Sequence, residues 1–310
     1  MPPLDSPWHD GERALHRRLG IADRMEAAGR HSIRSFMPDQ HRVFFAQLPF
    51  ILVGSSDRAG QVWASLLPGP LGFVTSPEPR RLEIDAVPAA GDPLTEALVP
   101  GAPLGVLGLE LPTRRRNRVN GHVVAADGSG FTLAVEQSFG NCPKYIVRRD
   151  YLTMEPERPV TVEPISTLDP DARRLIGAAT TFFVASSAGL GALPDVSHRG
   201  GQPGFVAMAA DGTLTVPDYS GNLFFNTLGN LLVNPQAGLL FPDFATGDLL
   251  QLTGATELVW DGPDVIATPG AQRLWRFHPI AGRWLRAALP LRFAPGEISP
   301  VSPSLSGLHS

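Results

Sequence analysis

At 310 residues and a net charge of −4, the chain has room for one large or two ordinary domains. Hydrophobic residues make up 43 %, which is enough for a core, and the charge balance does not point to nucleic acid as a partner. No apolar run reaches the length of a membrane span, and the polar start does not resemble a signal peptide. The single cysteine, Cys142, excludes an intrachain disulfide and is typical of a reducing compartment, so a cytoplasmic location is expected.

The chain begins with its most helical part, residues 9–36. Leu15, Leu19 and Met25 belong to an apolar series at three- and four-residue spacing, which predicts amphipathic helices. We expect two short helices, broken near Gly20, and assign residues 1–38 to a helical arm that packs across a barrel.

From Val43 the pattern changes to short apolar strands separated by turns, and residues 39–156 form a predicted first barrel. The segment starting RVFF predicts a strand pair, PLTEALV a short helix, and ADGSG a later hairpin turn. The basic run Arg114–Arg118 is compatible with a phosphate or nucleic-acid site. An exposed strand edge guarded by arginines is the interpretation that the pattern favours.

Residues 157–172, rich in proline and polar groups, predict a linker, followed by a second barrel over 173–300 and a tail over 301–310. In this second unit SHRGGQPG predicts a turn, FVAMA and LTV predict strands, and TLGNLLV predicts a helix ended by Asn234-Pro235. Asn226 and Thr227 are good N-cap residues, and a helix start beside a polar loop favours an anion. The segment from Leu274 predicts a last helix and strand.

The two strand sets are similar in order, which predicts a tandem repeat. The matched segments are 43–45 with 181–183, 58–61 with 199–202, 82–84 with 214–216, and 97–107 with 231–241. Two small antiparallel barrels follow from this pattern, since closed barrels avoid open strand edges.

The hairpin RGGQPGFVAMAADGTLTV, the loop PDYSGN and the segments NTLGNLLVNPQAGLLF and SFGNCPKYI together resemble the pyridoxamine 5′-phosphate oxidase-like flavoproteins. The resemblance covers roughly residues 40–155 and 173–295, as in the double-barrel members of that superfamily. It implies a mainly β chain of two tandem FMN-binding split β-barrels with an N-terminal helical arm. It also implies an FMN-dependent oxidoreductase that acts on a small organic substrate, with NADH or NADPH as a transient reductant.

The resemblance assigns site residues by position. Asn226 and Thr227 stand where the family commonly places an Arg-Lys pair on the phosphate, so Arg199 and Lys144 must contribute more charge. Tyr219 and Lys144 are the candidate proton donors. The complete predicted cofactor set is Ser197, His198, Arg199, the strand Gly204, Phe205 and Val206, then Pro217, Asp218, Tyr219, Gly221, Asn222, Asn226 and Thr227, with Asn141, Lys144 and Tyr145 from the first barrel.

Other interpretations remain open at this point. A flavin- or haem-binding carrier or sensor without turnover is one alternative, with His198 as the candidate axial ligand, and a degenerate barrel that acts only as a scaffold is another. The histidines lack metal-ligand spacing, so no metal site is predicted. The C-terminal segment does not match the substrate-binding pattern of true pyridoxamine phosphate oxidases. The substrate is not predicted, and a homodimer is expected.

Overall fold

The computed structural model describes residues 6–156 and 158–304. The predicted arm is confirmed as two helices, α1 (Asp10–Arg18) and α2 (Ala22–Ser32), separated at Gly20, whose φ of 65° suits glycine. Residues 1–5 of the predicted arm and 305–310 of the predicted tail lie outside the described residues. No helix in the described ranges is long and apolar enough to cross a membrane.

A third helix, α3 (Asp39–Ala46), occupies the position of a predicted strand. The prediction of a strand at Val43–Phe45 is therefore wrong. Phe44 and Phe45 are both buried, whereas Val43 is 66 % exposed, which is the burial pattern of a helix lying on a barrel. The first strand begins only at Phe50, after Pro49.

The first sheet has seven antiparallel strands in the order β2-β1-β5-β6-β7-β4-β3. Its elements are β1 (Phe50–Ser56), β2 (Val62–Pro68), β3 (Val74–Thr75), β4 (Arg81–Ile84), the helix α4 (Leu94–Ala97), β5 (Pro103–Glu110), β6 (Arg115–Ala126) and β7 (Phe131–Gly140). The short helix and the β6–β7 hairpin are where the sequence predicts them.

Two strands follow before the second barrel, β8 (Tyr151–Met154) and β9 (Thr161–Ile165). The second barrel then contains α5 (Pro170–Ala178), β10 (Thr181–Ser186), β11 (Asp195–Gly200), β12 (Ala207–Met208), β13 (Leu214–Tyr219), α6 (Asn226–Val233), β14 (Gln236–Pro242), β15 (Leu249–Val259), α7 (Pro263–Ala267), β16 (Ala271–Arg286) and β17 (Leu291–Phe293).

Seven strands of the second sheet repeat the first sheet in the order β11-β10-β14-β15-β16-β13-β12, and β9 is an additional eighth strand. The registers also agree. The row Ser65, Val53, Val106, Val119 across the first sheet corresponds to Ser197, Val184, Leu239, Leu252 across the second. The mainly β fold of two tandem barrels behind a helical arm is confirmed.

Some details of the predicted repeat are wrong. The counterpart of Thr181–Phe183 is the start of β1, because 43–45 is helical. The turn at 58–61 corresponds to the loop 187–194, since residues 199–200 lie in β11 and not in a turn. The matches of 82–84 with 214–216 and of 97–107 with 231–241 agree with the strand order.

Strands occur in two places where the sequence does not predict them. The predicted linker contains β9, which pairs with β16. Outside the linker, β8 pairs with β17 in a separate two-stranded sheet. The predicted last helix is wrong: β16 runs through Arg286 as a 16-residue strand, with a bulge near Pro279 that lets it bend.

The barrels pack against each other through a shared apolar cluster. Strand β2 of the first barrel lies on β14 of the second, and buried Leu66, Phe183 and Leu240 belong to the same cluster. A Cβ on Gly238 would lie 2.5 Å from the Trp63 Cα, so only glycine allows the backbones this close. This contact leaves a cleft at one side of the interface.

Candidate functional site

The cleft lies between the two barrels, beside the start of α6, and its cavity has a volume of about 110 Å³. One wall comes from β6 and the segment after β7 in the first barrel. The opposite wall comes from β11, the end of β13 and the first turn of α6 in the second barrel. The site is therefore built jointly by the two halves of the chain.

Arg118 of β6 crosses from the first barrel to the second. Its Nη1 donates to Asn226 Oδ1 at 2.7 Å, and its Nη2 donates to Val196 O at 2.9 Å and to Ser197 Oγ at 2.5 Å. The same guanidinium lies 3.3 Å from the Asp195 carboxylate, and both side chains are buried. Arg118 therefore links the barrels and fixes the start of α6.

Two further arginines face the cleft. Burial, together with the neighbouring Arg118 and Arg199, lowers the pKa of Arg116 to about 9. Burial also lowers the pKa of Arg199, which Asp218 partly offsets. None of the ion pairs among the described residues includes Arg116 or Arg199, and the Nε atoms of Arg116, Arg118 and Arg199 are buried without a hydrogen-bond partner. Crowded guanidinium groups, two of them without an ion-pair partner, make this wall a candidate site for an anion.

His198 lies between these arginines on β11. Burial, Arg116 and Arg199 lower its pKa well below the usual value, so the ring is neutral at physiological pH. Both ring nitrogens are buried without a hydrogen-bond partner. An uncharged imidazole adds no repulsion to the arginine cluster and has a donor and an acceptor available.

Aromatic side chains form the remainder of the cleft. Tyr145 and Tyr219 come from different barrels and their rings lie 5.2 Å apart, with the Tyr145 hydroxyl donating to Ser220 O at 2.9 Å. Burial raises the pKa of Tyr219 to about 12, with Tyr145 contributing. Phe205 and Phe225 also line the cavity. The cleft thus combines flat apolar surface with a cationic end.

Backbone strain is concentrated around the same cleft. Tyr145, Leu223 and Phe225 all line it, and all three have positive φ values, of 65°, 63° and 60°. A left-handed conformation costs a bulky residue free energy, so the surrounding packing must hold it in place. Strain of this kind clusters at ligand-binding sites.

The start of α6 differs from its prediction. The N-cap is Phe225 in a left-handed conformation, and Asn226 and Thr227 are the first helical residues, so their prediction as caps is wrong. The Asn226 amide is held instead between Arg118 and Glu12, to whose Oε1 it donates at 2.5 Å. Thr227 donates to Ser197 Oγ at 3.2 Å.

The N-terminal arm supports this helix start from behind. Glu12 of α1 is buried, and burial, reinforced by Asp195, raises its pKa to about 8. His16 Nε2 lies 2.9 Å from Leu223 O, in the strained loop. A Cβ on Gly229 would lie 2.6 Å from the Glu12 Cγ, so α1 and α6 are in close contact. The arm thus packs behind the start of α6 and the loop before it, which line the cleft.

The structure brings most of the predicted site residues to one place. Those that line the cleft are Asn141, Lys144, Tyr145, Ser197, His198, Arg199, Phe205, Pro217, Asp218, Tyr219, Gly221, Asn222, Asn226 and Thr227. Gly204 and Val206 do not line it. The predicted strand at Gly204–Val206 is wrong, because these residues form a turn before β12 and Val206 is buried in the barrel core. Lys144 is exposed at the cleft, with no hydrogen bond or ion pair described.

The sequence reasoning missed Arg116 and Arg118. The interpretation of Arg114–Arg118 as an exposed strand edge is wrong, since β6 is hydrogen-bonded on both sides, to β5 and to β7. A signal was present: Arg114, Arg116 and Arg118 alternate, which places them on one face of a strand. These two arginines place positive charge in the cleft beside neutral Asn226 and Thr227.

No protein-family model and no curated protein matches this chain. Similar solved structures include HupZ of Group A Streptococcus (12 % identity over 36 % of this chain and 95 % of that one, TM-score 0.30). They also include HutZ, a heme storage protein of Vibrio cholerae (14 %, 39 % and 95 %, 0.28), and a pyridoxinephosphate oxidase-family protein related to general stress protein 26 from Clostridium acetobutylicum (13 %, 40 % and 91 %, 0.28). Similarities at this level assign neither a cofactor nor an activity.

Proposed function

We propose that the chain binds one FMN in the cleft between its barrels and acts as an FMN-dependent oxidoreductase on a small organic molecule. The observation that carries the proposal is the cluster of Arg116, Arg118 and Arg199, whose buried Nε atoms lack partners beside an aromatic cleft. A flavin phosphate is a dianion that accepts several hydrogen bonds, and the isoalloxazine ring needs a flat apolar slot. The residues present therefore fit this cofactor.

The residues divide into roles along the cleft. Arg116 and Arg199, with the first amides of α6, hold the phosphate, because their charge is otherwise unbalanced. Phe205, Phe225 and Tyr219 provide apolar surface for the ring and exclude water from it. Bound FMN supplies the hydride and electron transfer.

Tyr219 and Lys144 remain the proposed proton donors. The raised pKa of Tyr219 keeps its hydroxyl protonated throughout the neutral range, so it acts as a hydrogen-bond donor and as a weak acid. Lys144 is exposed at the cleft, where its ammonium is accessible to a substrate. Substitution of Tyr219 by Phe retains the ring, so a fall in kcat with unchanged FMN affinity would assign the hydroxyl a chemical role.

The test is titration of flavin-free protein with FMN, followed by visible absorption and protein fluorescence. We expect one FMN per chain and bleaching of its visible absorption by NADH or NADPH. Arg116→Gln should weaken FMN binding at least about tenfold, because one charge-assisted hydrogen bond contributes roughly 1.5–3 kcal/mol. Arg24→Gln, at an exposed position on α2, is the matched control and should change nothing. Absence of FMN binding by the folded protein would exclude the proposal.

Haem is the second candidate, and one observation favours it: the neutral ring of His198 has two nitrogens without partners. A Soret band after addition of hemin, lost in His198→Ala but retained in Arg116→Gln, would support a haem carrier. For the FMN enzyme we expect the reverse dependence. A cytoplasmic homodimer is proposed as well, and light scattering of the purified protein measures its mass.

A further inference from the structure

The arginine run contains two members that the cleft does not use. Arg114 and Arg115 line a second, more open cavity of about 360 Å³ at the start of β6, here called the basic groove, together with His41 and Arg116. The basic groove and the cleft share Arg116 and Asn141. The two cavities therefore meet at the phosphate-binding arginine.

The basic groove has more positive charge than its surroundings neutralise. None of the ion pairs found in the described part of the chain includes Arg114, Arg115 or Arg116. Glu110 lies directly opposite Arg115 in the β5–β6 pairing, but its carboxylate accepts hydrogen bonds from Gln47 and Thr113. The carboxylate nearest by register is thus already engaged by neutral donors.

Arg114 gives a second, independent indication. Its backbone has a φ of 58°, an uncommon value for arginine, and its Nε donates to Ile146 O at 3.1 Å. Its Nη2 is buried without a hydrogen-bond partner. A buried guanidinium nitrogen without an acceptor is costly, and an anionic group in the groove would supply that acceptor.

Arg115 is fixed over the groove in a different way. Its guanidinium lies over the Phe44 ring of α3, 5.0 Å from the ring centre, while the residue itself is exposed. This stacking leaves the edge of the guanidinium free to donate to a ligand. Arg115 can therefore bind an anion without loss of a structural contact.

We propose that the basic groove binds the second phosphate of a dinucleotide flavin, FAD, whose FMN half occupies the cleft. This inference rests on the proposed function. The junction at Arg116 decides the choice of ligand, because the groove starts at the phosphate end of the cleft and not at its aromatic part. The second phosphate of FAD is attached directly to the FMN phosphate, so it would extend from Arg116 towards Arg115.

The experiment compares FMN and FAD affinities of the whole chain by fluorescence titration. We expect the wild type to bind FAD about tenfold more tightly than FMN, since one additional charge-assisted contact has that magnitude. Arg115→Gln should reduce this ratio to near one and leave FMN affinity within about twofold. Arg24→Gln, exposed on α2, should leave both affinities unchanged.

The contrary outcomes are distinct. Equal affinities of the wild type for FMN and FAD, or a ratio that Arg115→Gln does not change, would overturn the dinucleotide assignment and leave the FMN proposal intact. Titration of pyrophosphate into the FMN-loaded protein tests whether the groove binds a phosphate that is not attached to the flavin. Arg115-dependent pyrophosphate binding without any preference for FAD would assign the groove to a separate phosphorylated molecule and overturn the proposal. If neither flavin binds, the proposed function and this inference both fail.

Discussion

The two barrels place different side chains at equivalent positions of the same sheet. Arg118 in β6 and Gln251 in β15 occupy equivalent positions. Val119 and Leu252 are paired with equivalent residues of β5 and β14, and Arg118 and Gln251 come directly before them. Gln251 donates to Ala64 O at 3.0 Å, Ser65 Oγ at 3.3 Å and Asp92 Oδ2 at 3.0 Å. These acceptors mirror Val196 O, Ser197 Oγ and Asn226 Oδ1 around Arg118.

The difference between these two interface positions lies in charge and not in backbone. Around Gln251, the registers place Leu249 where the other half has Arg116, and Leu67 where it has Arg199. Leu67 and Leu249 are fully buried. The position at Gln251, here called the closed position, is thus filled by apolar side chains and held by hydrogen bonds from Gln251. The position at Arg118, here called the open position, is a cleft lined by arginines. The comparison indicates that the three arginines, not the fold, distinguish the cationic position from the apolar one.

The largest effect is expected when Arg118 is replaced by glutamine, the residue found at the equivalent position 251. Arg118→Gln leaves the buried Asp195 without its counter-charge, so the free energy of unfolding should fall by about 3 kcal/mol. FMN affinity should fall more than about a hundredfold, because the variant loses both a cation and the anchor of α6. Arg116→Gln should weaken FMN binding with little change in urea stability. Similar losses of stability in both variants would contradict the comparison.

This contrast also separates what sequence could predict from what it could not. The tandem barrels were predictable because hairpin turns and apolar strands recur in the same order in both halves. A strand was wrongly predicted at Phe44-Phe45, because a pair of adjacent aromatic residues occurs both in strands and on buried helix faces. The arginine cluster was misassigned because a sequence shows charge but not whether a strand is central or at an edge. Register between β5, β6 and β7 decides that, through contacts distant in sequence.

The contact between α1 of the arm and α6 lies beside the open cleft, and Gly229→Ala tests it. The new Cβ would lie 2.6 Å from the Glu12 Cγ and 2.8 Å from its backbone N, so α1 must move. We expect a loss of about 2 kcal/mol in stability and weaker FMN binding. Gly177→Ala in α5 is the matched control. Its Cβ meets nothing within 4 Å, and it should stabilise the protein by up to about 1 kcal/mol. Equal effects of the two variants would show that α1 does not press on α6.

The closed position is tested by Gln251→Leu. The change removes a donor from Asp92, whose pKa burial raises to about 6, and leaves one carboxylate oxygen without that partner. We expect a loss of about 2 kcal/mol in urea unfolding and no change in FMN affinity. Gln47→Leu removes an exposed hydrogen bond to Glu110 and should change stability by less than about 0.5 kcal/mol. A clear loss of FMN binding in Gln251→Leu would mean that the two positions are coupled.

The last prediction concerns pH and again distinguishes the halves, because Glu12 of the arm is buried behind the start of α6, beside the open cleft. Its pKa is raised from 4.5 to about 8 in the folded protein, so between these values the folded state holds a proton that the unfolded state has released. The stability contributed by this proton is fully present below pH 4.5 and is lost as the pH rises to about 8, at no more than about 1.4 kcal/mol per pH unit. Glu12→Gln should flatten this part of the stability profile measured by urea unfolding.

Asp92 changes stability in the same direction with rising pH, so the informative quantity is the difference between the wild type and Glu12→Gln at each pH. That difference should grow from pH 5 to pH 8 in favour of the variant, since Gln cannot acquire the buried negative charge. Arg24→Gln, at an exposed position on α2, does not titrate in this range and should show a constant difference from the wild type. A constant difference for Glu12→Gln would mean that Glu12 is ionised in the folded protein, and that the arm contributes a buried anion to the arginine side of the cleft.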